Sequence, residues 1–417
     1  MNNLYQTPPG YKSSPLGLIP TDWEVKEMRE LGVFSKGKGI LKEQVKEIGF
    51  PCVRYGEIYT TYDFIIKEFK SFISEDVANE SQEIKNGDIL FAGSGETIEE
   101  IGKAVAFMGD YKAFAGGDVI ILSTNGCVDP ICLSYILETD IVRKQKRKLG
   151  QGHSVVHIYP RDLETIKLLL PPLPEQTAIA TLLGTWDTAI SKTNALITQK
   201  GLRKKWLMQQ LLNGKKRISG FNGEWKLIHI SEVSKEVSIR NKTDKDLSVL
   251  SCTKYDGLVP SLEYFGRKIF ADDLTTYKVV PRNHFAYATN HIEEGSIGYQ
   301  ENFDEALISP MYTVFRTDSS INNYFFYLLL KSYRCIYEYQ AWMEGSIDRR
   351  GGLRWEAFSK IKVYVPSLEE QTAIAQVLQV ADKEIELLRI KLDELKKEKM
   401  GLMRLLLTGK KRINLIK

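Results

Sequence analysis

Residues that could support catalysis are scattered along the chain and complete no known catalytic motif. The segment GVFSKGKG (32–39) nearly matches a phosphate-binding P-loop, but Gly39 stands where that loop needs a hydroxyl to hold Mg²⁺. The Pro-Pro pairs in TPPG (7–10) and LPPL (170–173) do not fit the catalytic loop of an adenine methyltransferase. The five histidines show no metal-binding spacing, and neither HExxH nor a helicase motif is present. We therefore predict a protein that is not an enzyme and holds no metal or cofactor.

Basic and polar residues beside glycine-rich turns are better candidates, because such side chains suit contacts to phosphates and base edges. A basic run at 143–148 precedes the loop GQGHS (150–154), and two arginines precede the Gly-Gly pair at 351–352. Each residue could equally be an ordinary solvated charge. The candidate DNA-binding residues are Lys36, Lys38, Arg54, Lys144, Lys146, Arg147, His153, Arg240, Lys254, Asn290, His291, Arg349 and Arg350.

Length and composition indicate a globular protein of two or more domains. The 417 residues exceed the size at which one core stops growing. The formal net charge is only +4, and the basic excess lies in two short segments, 171–218 and 366–417. The five cysteines form no CxxC pair, and no apolar run approaches the 18 residues of a membrane span. These features predict a cytoplasmic protein that does not enter a membrane.

An internal repeat organises the chain. Residues 175–218 align without a gap to residues 370–413 at a constant offset of 195. Both copies begin with EQTAIA and end with GKKRI, and IKLLLPP (166–172) aligns with IKVYVPS (361–367). A repeat of this length indicates two copies of one structural unit.

Each copy has the apolar spacing of one long helix with a heptad seam. We expect the two helices to form an intramolecular antiparallel coiled coil; the alternative is that each packs only on its own globular block. Lys204 and Lys399 fall on seam positions, where they could fix the register or mark a bend. The predicted pairing residues are Ile179, Leu183, Trp186, Ile190, Ile197, Leu207 and Leu211 in the first copy, and Ile374, Leu378, Ile385, Leu388, Leu392, Leu395, Leu402 and Leu406 in the second.

The helix ends carry recognisable capping signals. Ser367 and Glu370 have the spacing of a capping box, and Pro174 suits the first helical position of the other copy. Gly214 and Gly409 are expected to stop the helices, with Lys-Lys-Arg behind each of them complementing the negative end of the helix dipole.

The blocks between the helices have a mixed α/β pattern. Each block ends in a predicted helix, at 132–150 and at 322–340, followed by a glycine-rich loop and a last strand. Predicted strands lie at 87–93, 104–109, 118–124, 284–289 and 311–317. The predicted order is a first domain at 1–170 with a lead-in at 1–20, a long helix at 171–218, a second domain at 219–365 and a long helix at 366–417.

The repeated EQ-x-x-I-A segment, each copy followed by a long helix and preceded by an α/β block, resembles the specificity (S) subunit of type I restriction–modification enzymes. The opening SPLGLIPTDWEVKEMRELG (14–32) is similar to the family's lead-in to a target-recognition domain. The second copy departs from the pattern, with LEEQ (368–371) in place of LPEQ.

The resemblance implies a non-catalytic, DNA-reading subunit. Two target-recognition domains, of α/β or α+β class, would each read half of a split asymmetric site in double-stranded DNA. The antiparallel helices would set the spacing and relate the domains by a pseudo-two-fold axis. Two methyltransferase (M) subunits would dock on the chain, and restriction (R) subunits would complete the complex. S-adenosylmethionine, ATP and Mg²⁺ are expected on those partners and not on this chain.

A rival interpretation is a two-domain coiled-coil scaffold or adaptor that binds no DNA. Adenine methylation directed by the chain with its methyltransferase would separate the two. Neither the target bases nor the gap between the half-sites follows from the sequence, because base readout depends on where the loops place their side chains.

Overall fold

The structure, a computed structural model, describes residues 8–152, 154–242, 247–344 and 352–413. The chain folds into two compact units. Unit 1 comprises Met1–Thr193 and Lys391–Lys417, and unit 2 comprises Asn194–Ile390. The division passes through both long helices, so each unit contains part of each helix. Among the described residues, none of the helices combines the length and apolar character that a membrane crossing requires.

Unit 1 is built from short strands and short helices around a mixed sheet. Its strands are β1 Tyr11–Ser14, β2 Gly17–Pro20, β3 Glu24–Glu27, β4 Gly32–Lys36, β5 Phe50–Val53, β6 Ile65–Ile66, β7 Ser71–Ile73, β8 Gln82–Ile84, β9 Ile89–Ala92, β10 Ser94–Gly95, β11 Ala104–Phe107, β12 Ala113–Ala115, β13 Val119–Thr124, β14 Val156–His157 and β15 Lys167–Leu170. Its helices are α1 Tyr55–Thr60, α2 Glu75–Glu80, α3 Pro130–Ile136, α4 Asp140–Leu149 and α5 Pro160–Leu163, with 3-10 turns at Met28–Glu30 and Lys42–Gln44.

Two larger sheets and three two-stranded pairs form in unit 1. The strand orders are β4-β13-β9-β11-β6, β7-β5-β12-β8, β15-β3, β10-β14 and β1-β2. Only the β11–β6 and β12–β5 pairs are parallel among the described strands of this unit. β9, β11 and most of β13 are fully buried, because their continuous apolar runs pack on both faces of the sheet.

Unit 2 repeats the plan with fewer strands. The strands are β16 Lys226–His229, β17 Ser234–Glu236, β18 Val249–Thr253, β19 Gly257–Pro260, β20 Lys278–Pro281, β21 His284–Ala288, β22 Ile297–Gln300, β23 Glu305–Ile308, β24 Tyr312–Thr317 and β25 Lys362–Val365. The short helices are α7 Ile230–Val233, α8 Ser261–Phe265, α9 Asn323–Leu330, α10 Tyr333–Glu344 and α11 Trp355–Phe358, with a 3-10 turn at Ile292–Glu294. The sheet orders are β17-β24-β21-β22, β19-β18-β23-β20 and β16-β25. Mixed sheets with helices in both units confirm the α/β class.

The two long helices have the same length and remain at the repeat offset. They are α6 Leu173–Leu211 and α12 Leu368–Leu406, 39 residues each, and α6 continues without a break through Gly201. All fifteen predicted pairing residues are buried or half-buried. In unit 1, Ile179 and Leu183 of the first long helix join the same core as Leu406 of the second. In unit 2, Leu211 joins the core that holds Ile374 and Leu378. The helices therefore pack on each other and on the globular cores.

Several local predictions need correction. The predicted helices at 132–150 and 322–340 are each two helices, α3 with α4 and α9 with α10. The first break falls just before α4, whose N-cap is Thr139, a residue type that favours starting a new helix over continuing one. The capping box at Ser367 is half formed: its Oγ accepts from the N–H of Glu370 at 3.4 Å, but the Glu370 carboxylate binds an arginine instead.

Candidate nucleic-acid interface and the paired helices

Each long helix begins with a glutamate that binds an arginine located beyond the end of the other long helix. In unit 1, Nε and Nη2 of Arg412 donate to the two carboxylate oxygens of Glu175, both at 2.7 Å. In unit 2, Arg217 donates to Glu370 at 2.6 and 2.7 Å. Both glutamates are almost completely buried. We call these the terminal ion pairs. Because each joins one helix start to the other helix end, the helices run antiparallel within each unit.

The hydrogen bonds in the terminal ion pairs also fix the charge state of the arginines. Donation to Glu175 and to the carboxylate of Asp22 raises the pKa of Arg412 above its ordinary value. Donation to Glu370 raises the pKa of Arg217 in the same direction. The bidentate geometry suits a planar guanidinium and not a lysine ammonium. These pairs explain why EQTAIA and GKKRI recur together in both repeats.

A second ion pair lies midway along the paired helices of each unit. In unit 1, Nζ of Lys399 lies 2.5 Å from Oδ1 of Asp187, and the Tyr135 hydroxyl donates to Oδ2 of the same carboxylate at 2.5 Å. Lys399 also lies 3.8 Å from the ring centre of Phe64. The equivalent residues of unit 2 are Lys204, Asp382 and Tyr324. We call these the central ion pairs. Lys204 and Lys399, which lie on the seam, therefore fix the register of the helices. Each pairs with an aspartate of the other helix, and the two pairs are related by the repeat offset.

Desolvation dominates the chemistry of the central ion pairs. Burial lowers the pKa of Lys399 below its ordinary value, and its Asp187 partner opposes that shift. Burial raises the pKa of Tyr135 and of Tyr324, and the hydrogen bond that each donates to its aspartate adds to the rise. Both tyrosines therefore remain neutral donors at neutral pH.

The glutamine of each EQ pair ties the helix start to the globular block. Oε1 of Gln176 accepts from the N–H of Asp129 at 2.8 Å, and Nε2 donates to the carbonyl of Pro171 at 2.8 Å. Asp129 is itself the N-cap of α3, since its side chain accepts from the N–H of Cys132. The equivalent residues of unit 2 are Gln371, Asn322, Pro366 and Phe325. The EQ motif is thus a structural joint.

The candidate DNA-binding residues of unit 1 are not all accessible. Lys36 and Lys38 are exposed at and just beyond the end of β4, and Lys144 and Arg147 are exposed on α4. Lys146 is 2% exposed; its Nζ donates to the carbonyl of Gly102 at 2.9 Å and to Glu138 at 3.0 Å. Burial lowers the pKa of Lys146. The assignment of Lys146 to DNA was wrong, because α4 turns this one lysine of its basic run into the core.

Arg54 is half-buried at the rim of a cavity. Its Nη2 donates to Glu57 at 3.1 Å, and its Nε has no hydrogen-bond partner among the described residues. The cavity has a volume of about 640 Å³ and is also lined by Ile40, Lys42 and Tyr55. Ile40 has a φ of 63°, which is unusual for a β-branched residue and marks a tightly constrained loop.

Unit 1 brings together a group of aromatic and basic residues that, apart from Lys36, the sequence pattern did not indicate. The Lys36 ammonium lies 5.6 Å from the ring centre of Tyr159, and the Arg161 guanidinium lies 5.5 Å from the same ring. His157 stacks beside Tyr159, and its Nδ1 lies 2.9 Å from Oγ of Ser94. Cations beside a half-buried aromatic ring suit contact with phosphates and bases. The segment HIYPR has no spacing signal, so only the folded chain brings it to Lys36.

In unit 2, the segment that follows Gly352 contacts the loop that follows β21. Leu353, just after the glycine pair, donates its N–H to the carbonyl of Thr289 at 2.7 Å, and a Cβ on Gly352 would lie 2.4 Å from the same oxygen. Asn290 and His291 follow Thr289 in the chain and are exposed. Arg240 and Lys254 are exposed elsewhere on the unit. The predicted residues His153, Arg349 and Arg350 lie outside the described residues.

One group of described side chains has the composition of a metal site. The ligand atoms of His291, Glu293 and Glu294 lie within 4.8 Å of one another. His291 is the N-cap of the 3-10 turn that holds both glutamates, and Oε2 of Glu293 is buried without a hydrogen-bond partner among the described residues.

Two units of α/β class, each containing parts of two antiparallel long helices joined by repeated ion pairs, define a protein built by internal duplication. The profile of the type I restriction modification DNA specificity domain matches residues 20–199 and 222–397. The chain belongs to this family and is a specificity subunit, which confirms the resemblance stated above.

Two relatives that match over nearly the full length, and one that matches over about half of this chain, support the assignment. A putative type I restriction enzyme specificity subunit, MjaX, from Methanocaldococcus jannaschii is 26% identical over 97% of both chains. The MjaVIII specificity subunit of the same organism is 26% identical over 95% of this chain and 94% of its own. The EcoKI specificity subunit of Escherichia coli is 24% identical over 48% of this chain and 43% of its own.

Solved structures share the fold. The type I S subunit from M. genitalium has a TM-score of 0.57 at 15% identity, covering 92% of this chain and 96% of the other. A chain from a structure describing complex assembly and conformational transition of the type I restriction–modification system has a TM-score of 0.55 at 16% identity, covering 94% and 99%.

Proposed function

We propose that this specificity subunit reads a split, asymmetric target in double-stranded DNA, one half through each unit. The observation that carries the proposal is the contrast between framework and surface. The terminal and central ion pairs recur at the repeat offset in both units, whereas the residues at the surface differ: exposed Lys36 and Arg161 beside half-buried Tyr159 in unit 1, and exposed Asn290 and His291 in unit 2. A duplicated framework with two different surfaces suits two different half-sites.

The paired helices set the distance between the half-sites and carry the docking surfaces for two methyltransferase subunits. Restriction subunits complete the complex. S-adenosylmethionine, ATP and Mg²⁺ bind to those partners, and this chain contributes DNA binding. The support for a spacer is that both helices run unbroken for 39 residues and are held in register by ion pairs.

A domain exchange tests the two-reader arrangement. Residues 219–365 are replaced by the corresponding block of a relative with a known target, and the methylated sites of an expressing strain are sequenced. One half-site should change and the other should stay. The parent chain, expressed with the same methyltransferase, is the control. A change in both half-sites would contradict the proposal, and so would an absence of adenine methylation by the parent complex.

A helix insertion tests the spacer separately. Four residues inserted between Thr198 and Gly201 add about 6 Å of helical rise and rotate the seam by only about 40°. DNA rises 3.4 Å per base pair in each strand, so the gap should widen by about one or two base pairs while both half-sites stay the same. A methylating variant with the parent gap would refute the spacer role.

A further inference from the structure

A groove in unit 2 lies beside the end of the first long helix. Its volume is about 920 Å³, and its floor includes Leu212, Trp225, Val363 and Tyr364. Tyr364 is 39% exposed, and the Nε1 of Trp225 is buried without a hydrogen-bond partner among the described residues. The groove thus presents apolar surface, and the Trp225 donor is buried beside it.

The matching place in unit 1 is filled by the chain itself. The hairpin formed by β1 and β2, residues 11–20, packs Ile19 against Trp23 and Leu169. Trp23 precedes β3 as Trp225 precedes β16, and Leu169 matches Tyr364 at the repeat offset, because β15 pairs with β3 as β25 pairs with β16. The floor of the groove therefore corresponds to surface that the hairpin covers in unit 1.

The two helix-terminal glycines confirm this correspondence. A Cβ on Gly409 would lie 2.5 Å from Cδ of Pro20, at the end of the hairpin, whereas a Cβ on Gly214 would first meet the Trp225 ring at 3.5 Å. The hydroxyl of Tyr11 also donates to the carbonyl of Gly409 at 2.9 Å. Gly214 has no such cover among the described residues of unit 2.

The positive charge of the groove indicates an occupant that differs from the unit 1 hairpin. Five cations line the groove, and none of the described residues lining it is acidic; the cations are Lys205, Lys215, Arg217, Lys331 and Arg334. Glu370 neutralises Arg217, which leaves four positive charges. At the place of Arg334, which lies 4.7 Å from the Tyr364 ring centre, unit 1 has Ile141 packed beside the hairpin.

The geometry points to a docking site in unit 2 for an acidic polypeptide segment with an apolar anchor, contributed by the methyltransferase subunit. The apolar anchor takes the place that Ile19 and Pro20 fill in unit 1, and acidic side chains neutralise the four cations. This inference rests on the proposed function for the identity of the partner. The choice of a polypeptide over DNA rests on the hairpin that covers the same surface in unit 1.

The main test measures binding of the methyltransferase subunit of the same restriction–modification system to the full chain. Lys205→Glu with Arg334→Glu reverses two charges of the groove. Lys235→Glu with Arg267→Glu makes the same change at exposed residues of unit 2 outside the groove. One of the two methyltransferase subunits should bind the groove variant at least tenfold more weakly, and the control variant should bind both subunits as the parent does. Equal binding by the two variants would overturn the docking site while leaving the proposed function intact.

A peptide probe tests the groove without the methyltransferase. A synthetic peptide of residues 8–23 carrying Lys12→Glu supplies the hairpin sequence with an added acid. It should bind the parent chain, and at least tenfold more weakly the groove variant; a scrambled peptide should not bind. If the methyltransferase fails to bind even the parent chain, the proposed function fails, and equal peptide binding by parent and groove variant overturns the groove independently.

Two other occupants would give different results. If the groove variant keeps parent affinity for the methyltransferase but the complex loses DNA binding, the groove is a DNA contact. If instead the variant loses self-association of the parent chain in sedimentation experiments, the occupant is a second copy. Either result overturns the inference.

Discussion

The two units carry the same ion pairs, but the terminal ion pair of unit 1 has more hydrogen-bond partners. In unit 1, Arg412 also binds Asp22 at 2.7 and 2.8 Å, and Nε1 of Trp23 donates to Glu175 at 3.0 Å. In unit 2, Arg217 donates its further hydrogen bond to the carbonyl of Gly223, at 2.8 Å, and lies 5.8 Å from the ring centre of Trp225. The hairpin at residues 11–20 accounts for part of this difference, because it covers Trp23 completely.

The central ion pair of unit 1 is more deeply buried than that of unit 2. The side chain of Lys399 is 6% exposed, against 23% for Lys204. Lys399 also lies against two aromatic rings, Phe64 and Tyr135. The comparison teaches that one duplicated motif can be a buried structural joint in one copy and a partly open one in the other, and the open copy has surface left for a partner.

The largest difference is expected when the central aspartates are removed. Asp187→Ala leaves Lys399 as an unpaired buried charge, and we expect a loss of about 3–5 kcal/mol in the free energy of unfolding. Asp382→Ala leaves Lys204 in contact with water, so the loss should be about 1–2 kcal/mol. Urea unfolding of both variants beside the parent checks this. Lys399→Met added to Asp187→Ala should recover most of the loss, and equal losses from the two aspartates would contradict the comparison.

The glycines at the helix ends test the cover over unit 1. Gly409 and Gly214 have φ values of 71° and 69°, so alanine is strained at both positions. Gly214→Ala should cost about 1–2 kcal/mol from this strain alone. Gly409→Ala should cost about 2–4 kcal/mol, because its methyl group also collides with Pro20. Thermal unfolding measures both. A variant pair with the same loss would indicate that the hairpin does not hold its place against Gly409.

The tryptophans isolate one hydrogen bond. Trp23→Phe removes the donor to the buried Glu175 carboxylate and should cost about 2–3 kcal/mol. Trp225→Phe removes an Nε1 that has no partner among the described residues, so its cost should stay below about 1 kcal/mol. Urea midpoints of the two variants are compared with the parent. A larger loss from Trp225→Phe than from Trp23→Phe would reverse the comparison.

The smallest expected effect is a pH dependence that comes from Lys399 of the central ion pair in unit 1. Burial lowers the pKa of Lys399, so between that lowered pKa and the ordinary value of 10.5 the unfolded chain binds a proton that the folded chain does not. The contribution of Lys399 to stability should therefore rise with pH across this window. Unfolding free energies of the parent and of Lys399→Met, measured at several pH values up to about 10, give the contribution as a difference in which other titrating groups cancel. A difference that falls with pH would contradict the assignment.

Much of the architecture follows from the sequence because it depends on local spacing. The constant offset of 195 predicts two equal units, and the observed long helices keep that offset at both ends. A heptad pattern reports which face of a helix is apolar, so all fifteen pairing residues could be named. Short apolar runs bounded by glycine or aspartate locate strands such as β9 and β13 for the same reason.

The tertiary structure decided which residues contact each other, because a periodic pattern shows that a helix face is buried but not what covers it. Arg412 meets Glu175 across 237 residues, and Lys399 meets Asp187 across 212. Lys146 looks like its basic neighbours in sequence, yet α4 turns it toward Gly102 and Glu138 in the core. The hairpin covers one copy of a repeated surface and leaves the other copy open. Each of these outcomes depends on packing between distant segments, and local residue order carries no record of that packing.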